Sequence, residues 1–118
     1  EWRQFRLNAI TSLVNEIIDI AHSKNKKVTA AVFPFPEMSR QMVRQAWNDW
    51  NLDSAYPMLY QNFYRENINW IGFATRQGVS DVEFPIHSGL YAGALKKPGD
   101  FEKAISISKI TLRKCKIF

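Results

Sequence analysis

The chain is poor in the residues from which many small sites are built. It has one cysteine, Cys115, and two histidines, His22 and His87, among 118 residues. A single thiol excludes an internal disulfide and any cysteine-based zinc cluster. Two distant histidines without matching carboxylates give no metal-ligand spacing, so no metal and no cofactor is expected. No Gly-x-Ser-x-Gly elbow and no Cys–His pairing pattern occurs, which leaves serine or cysteine nucleophiles without support. Long apolar runs are missing too: none approaches the roughly 18 residues a membrane helix needs, so no membrane span is expected. The opening "EWRQFRLNAI" has no apolar signal region. It also has no initiating Met and starts inside a helical pattern, so it reads as cut from something longer and fixes no compartment.

What is present fits one domain over residues 1–118. The chain is 46% hydrophobic and 23% charged, which suits a packed globular unit. The net charge of +5 raises nucleic acid as a partner. The basic residues are scattered, however, in "SKNKK", "LKK" and "LRKCK". Solvated faces and a helix C-terminus account for them, and no nucleic acid is expected.

Residues 2–24 read as a helix with Ile10, Leu13, Val14, Ile17, Ile18 and Ala21 on one buried face and Asn25 as C-cap. "KVTAAVFPF" reads as a strand that is apolar on both faces and is stopped by Pro34 and Pro36. A second helix fits residues 39–50, with Ser39 as N-cap. "DSAYPMLY" is a second strand in which Pro57 must lose a ladder bond and make it irregular. A third helix fits about residues 63–76, ended by Gly78. "FPIHSGLYAGAL" is a third strand whose glycines permit close approach or a bulge. Asp100 is the candidate N-cap of a last helix. Strand starts near Val28, Asp53 and Phe84 lie 25 and 31 residues apart, a spacing that suits βα units in a parallel sheet.

An open nucleotide-binding sheet would carry a glycine-rich turn after a strand. Here the first two strands end in "FPFPEM" and "LYQNFY" instead. Aromatic and polar side chains at strand C-terminal ends favour a (β/α) barrel, which does its work there. Phe33, Phe35, Tyr60, Phe63, Tyr64 and Tyr91 fall at or near those ends. Rings there can form flat platforms for sugars, with Gln61 and Asn62 for the hydroxyl rim. Plain core packing is the preferred reading for any single ring, with one or two expected to contact ligand, and it is preferred more strongly still for Trp47, Trp50 and Trp70. Glycoside hydrolysis needs two flanking carboxylates. Glu37, directly after the first strand, is the one credible catalytic candidate, though it also fits a solvated charge at a helix N-terminus. Glu66 lies deeper in a helix, and Asp53 points to the opposite, stabilising face. His87 lies in the third strand, where core packing, proton transfer and sugar binding are all open.

"VTAAVFPFPEMSRQMVRQAWNDWNLDSAYPMLYQNFY" resembles the later part of the glycosyl-hydrolase-like barrels described as related to family ten glycoside hydrolases, in a branch common in gut Bacteroidetes. The resemblance rests on the Phe-Pro strand end at 33–36, the Gln-x-Trp-x-x-Trp segment at 45–50 and the Asp-x-x-x-Pro-Met-x-Tyr strand at 53–60, and spans about residues 2–108. It implies an eight-stranded (β/α)8 TIM-type barrel, of which this chain would be about half, the C-terminal part. It further implies hydrolysis of poly- or oligosaccharide and a periplasmic, secreted or cell-surface location. Tyr60 is carried over as a site residue, with Glu37 and Tyr91 by position. Phe35, Gln61, Asn62, Tyr64 and His87 complete the expected substrate contacts. Two departures stand out. Ala46 replaces an often acidic neighbour of the first Trp, and "SKITLRKCKIF" replaces a Gly-rich turn and final apolar strand, like an altered or truncated end.

A barrel of this kind needs about 250 residues. Three strands, or four if the tail supplies one, cannot close. The open edges then call for a missing N-terminal half or a homo-oligomer. The alternative to a hydrolase half is a non-catalytic carbohydrate-binding or oligomerising half-barrel module. With one placed carboxylate, the chain by itself is expected to show no hydrolase activity.

Overall fold

The computed structural model of the chain describes residues 1–112. Helix α1 (Trp2–Ser23) leads to strand β1 (Thr29–Val32), helix α2 (Pro36–Val43), strand β2 (Ser54–Pro57), helix α3 (Asn69–Asp81) and helix α4 (Asp100–Leu112). Short 3-10 turns sit at Trp47–Asp49, Gln61–Tyr64 and Ala92–Ala94. The fold is α/β. β1 and β2 run parallel, with Thr29 opposite Ser54 and Val32 opposite Pro57. Residues 86 and 89 bridge in parallel to Ala55 and Met58. The register offsets are therefore 25 and 31 residues, the spacings between the expected strand starts. The described residues make an open parallel sheet, not a closed barrel.

The third strand is thinner than the sequence suggests, and Pro57 is the reason. Ala55 donates to the Pro85 carbonyl (3.0 Å) and accepts from His87 N–H (2.9 Å). One step on, the ladder needs an N–H at position 57 aimed at His87, which proline lacks. Pairing resumes where Gly89 N–H reaches the Pro57 carbonyl at 2.8 Å. A Cβ at Gly89 would lie 2.9 Å from that oxygen, so this close approach requires glycine.

Several boundaries differ from the sequence reading. α1 ends at a Schellman motif: Asn25 N–H reaches His22 and Lys26 N–H reaches Ala21, both at 3.0 Å. Lys24 is the cap, and Asn25 (φ 55°) is the left-handed residue after it, a conformation asparagine tolerates. α2 starts at Pro36, whose fixed φ and missing N–H suit a first turn. Ser39 is thus buried inside that helix and is not its N-cap. Arg44 turns left-handed (φ 60°) and stops α2 at Val43. Trp47 and Trp50 therefore leave a 3-10 turn, not one helix face, and both are buried as expected. The side chain of Asn15 pins that turn to α1, donating to the Asp49 carbonyl (3.1 Å) and accepting from Asn51 N–H (2.8 Å). Residues 61–64 form a 3-10 turn closed by left-handed Arg65, so the third helix begins only at Asn69. Gly78 lies inside α3 and does not end it; its Cα faces Ile86 and Trp47. Asp100 is the first residue of α4, and its carboxylate accepts from Lys97 N–H at 3.0 Å. Residues 108–112 continue α4, so no strand begins there; the rest of the expected tail strand, with Cys115, lies outside the described residues.

Helices cover one face of the sheet. Ile18, Val32, Trp47, Trp50, Leu52, Ala55 and Ile86 form the core beneath it. A second cluster of Leu59, Ile71, Ala74 and Ala104 joins α3 to α4. The other face is open: Thr29, Ala31, Tyr56 and His87 are exposed, so β1 is not covered on both sides. Among the described residues no helix is long and apolar enough to cross a membrane.

At the start of the strands, Asp53 ties α1 to the sheet. Its Oδ2 accepts from Val28 N–H (2.6 Å) and pairs with His22 Nε2 (2.9 Å). The Val28 N–H, then the His22 hydrogen bond, hold its carboxyl below the ordinary range, against a smaller opposing effect of burial. A carboxyl depressed in the folded state adds stability above its unfolded value, about 3.9, and that stability is lost as pH falls through the folded value. Acid titration of the melting temperature is expected to fall below about pH 4 more steeply in the native chain than in Asp53→Asn. At neutral pH, Asp53→Ala should cost about 1–2 kcal/mol in urea unfolding.

A Cβ on Gly72 would overlap Ile107 Cγ2, across the α3–α4 contact. Alanine would gain up to about 1 kcal/mol of helix propensity but must push the helices apart, at about 1–3 kcal/mol. Urea unfolding of Gly72→Ala should therefore show net destabilisation, the reverse of its helix propensity.

Candidate functional site

Three rings meet beyond the C-terminal ends of β2 and the third strand segment. Tyr60 lies 6.0 Å from Phe63 and 5.8 Å from Tyr91, centroid to centroid, and Phe63 lies 5.8 Å from Tyr91. Local backbone puts them there. Tyr60 precedes the 3-10 turn Gln61–Tyr64, whose Phe63 N–H returns to the Tyr60 carbonyl (3.0 Å) and brings the two rings together. Tyr91 precedes the turn Ala92–Ala94, closed by Ala94 N–H to the Tyr91 carbonyl (3.0 Å). A Cβ on Gly93 would strike the Tyr91 ring at 2.8 Å, so glycine leaves room for that ring to fold back. Phe63 is 68% exposed and Tyr91 42%, a high exposure for rings that already touch one another. Their planes meet at 48–52°, so they form a faceted patch and not the flat platform expected.

The other expected contacts scatter. Asn62 is exposed beside the patch. Gln61 is buried, with no hydrogen-bond partner for Oε1 within the protein, and so supplies no hydroxyl rim. Tyr64 turns to Trp70 at 5.1 Å, and burial raises its phenol above the ordinary value. Phe35 packs edge-on against Phe73 (5.7 Å) at the second core cluster. His87 stacks on Tyr56 at 4.9 Å on the open sheet face, which resolves its orientation away from the helices.

Glu37 stands apart from the rings. It is exposed in the first turn of α2 and lines a cleft of about 320 Å³ between α1 and α2, with Arg3, Gln4, Asn8, Arg40 and Asp49. None of the three clustered rings lines that cleft. Asp49 joins it because the 3-10 turn carries it there. Glu66 falls in the connection before α3, not one turn into a helix. Among the described residues no group of three or more His, Cys, Asp or Glu could hold a metal ion. Phe63 belongs to the strand-end rings but not to the expected substrate contacts. Its signal was its place three residues after Tyr60, which a tight turn converts into contact. Tyr56 was missed, although alternation with buried Ala55 and Pro57 marks it for the open face.

Compared with family models, with curated proteins and with solved structures, the chain matches none.

Tyr64 offers a test of the local packing. In alkaline titration followed by ultraviolet absorbance it should ionise above about 10, the ordinary tyrosine value. Trp70→Ala, which opens its surroundings, should bring that transition back toward the ordinary value.

Proposed function

We propose that the chain binds poly- or oligosaccharide at the patch of Tyr60, Phe63 and Tyr91, on a sheet that forms about half of a (β/α)8-type barrel of glycoside-hydrolase-like kind. The observation that carries the reading is the mutual contact of three rings, two of them well exposed, at the C-terminal ends of neighbouring parallel strands. Barrel sites lie at that end of the sheet. The apolar faces of a sugar ring suit tilted aromatic facets, and the phenols of Tyr60 and Tyr91 with the amide of Asn62 can meet its hydroxyls. The barrel reading draws on the parallel register and on a sheet covered by helices on one face only. A missing half or a second copy would cover the open face.

This chain by itself binds without turnover. Glycoside cleavage usually takes two carboxylates about the same bond. Glu37, the one placed candidate, faces the α1–α2 cleft and not the rings. The surface thus serves either the sugar-holding part of a hydrolase or a non-catalytic module, and the position of Glu37 favours the module.

Titration of the isotope-labelled chain with soluble glucan, xylan and mannan oligosaccharides, read by NMR, tests this. Shifts should concentrate in residues 60–64 and 89–94. Tyr91→Ala should weaken affinity about tenfold without changing the fold, and Glu37→Gln should leave affinity unchanged. Absence of shifts with every sugar class would end the reading. Sugar release by the pure chain, abolished in Glu37→Gln, would instead move the chemistry to the α1–α2 cleft.

A further inference from the structure

Helix α1 has two apolar stripes and uses only one. The inner stripe packs Val14 and Ile18 on the sheet core. The outer stripe is Trp2, Phe5, Ala9, Leu13, Ile17 and Ile20, spaced three, four or seven residues apart and all exposed. Trp2 is 70% exposed and Ile20 59%, so the stripe faces water over the whole helix. Trp2 and Phe5 stack on one another at 5.4 Å. Such a stripe offers on the order of several hundred Å² of apolar surface, against about 800 Å² per partner in a stable interface.

The charges beside the stripe indicate the occupant. Arg3 and Arg6 sit near the N-terminus, and Glu16 and Asp19 in the second half. The first turn holds no acidic residue. A lone helix prefers the opposite distribution, because its dipole is positive at the N-terminus. An antiparallel copy of the same helix satisfies both charges and dipoles. Residues whose numbers add to 22 then stand level across the seam: Trp2 with Ile20, Phe5 with Ile17, Ala9 with Leu13, and Arg6 with Glu16. Every apolar residue of the stripe meets another, and a two-fold axis near residue 11 repeats each pair. Parallel pairing would set Arg6 against Arg6 and Glu16 against Glu16. No ion pair among the described residues engages Arg6 or Glu16.

We infer that the outer face of α1 is a self-association surface, on which a second copy of this chain docks its own α1 antiparallel. The surface is separate from the ring patch, the open sheet face and the sheet edges, and does not depend on the sugar reading.

Sedimentation and light scattering of the full chain over about a tenfold range of concentration test the inference. The expected result is a dimer that dissociates on dilution. Glu16→Arg alone and Arg6→Glu alone should each raise the dissociation constant about tenfold, since each puts like charges level at two symmetric places. The double variant Arg6→Glu/Glu16→Arg should restore association, and circular dichroism should show all variants folded. A monomer at every concentration would overturn the inference. So would association that the single charge reversals leave unchanged, as pairing through the sheet would.

Discussion

The parallel ladder through β2 is the constraint on which the rest depends. β2 pairs with β1 on one side and with residues 86 and 89 on the other. That register decides which residues face the helices and which face outward. Ala30, Val32, Ala55 and Ile86 fall on the helix side and join Trp47 and Ile18 in or against the core. Ala31, Tyr56 and His87 fall on the other side. The same register brings the connections after β2 and after residue 89 to one end of the sheet. Tyr60, Phe63 and Tyr91 meet for that reason, although 31 residues separate the two tyrosines.

Small backbone devices then aim the side chains. Proline at 57 removes one donor and leaves the third strand short of a full ladder, while glycine at 89 lets it come close again. Left-handed residues at 44 and 65 break what would otherwise be two longer helices. The 3-10 turns that follow or precede those breaks deliver Trp47 to the core and Phe63 to the surface. Asn15 and Asp53 fasten α1 to the connections before β2, one at the tryptophan turn and one at the sheet edge. The helix layer is thereby held to the sheet by polar contacts as well as by the apolar core.

The apolar surfaces left in water divide by geometry. The ring patch is compact, faceted and edged by phenols and an amide, as a ligand with both apolar faces and hydroxyls would need. The outer stripe of α1 is long and straight, flanked by charges of segregated sign, as another helix would need. Glu37 belongs to neither. Its cleft mixes two guanidinium groups with two carboxylates, and none of the three rings lines it.

Much of the architecture was legible in the residues. Periodicity showed α1, though not its buried face, since Leu13 and Ile17 turn to solvent while Val14 and Ile18 meet the core; prolines and β-branched runs showed β1, and the 25- and 31-residue spacings of the strand starts became the register itself. Pro57 announced its broken ladder because a missing N–H is a local, covalent fact. The boundaries of α2 and α3 were not legible, since left-handed Arg44 and Arg65 carry no strong local preference and are set by what surrounds them. The tertiary structure alone decided which rings serve the core and which the surface. Phe35, Tyr64 and Gln61 share composition and chain position with the patch, yet packing against Phe73, Trp70 and the interior withdraws them. Sequence places a ring near a strand end; only the turn that follows, and the neighbour it finds, determine where the ring points.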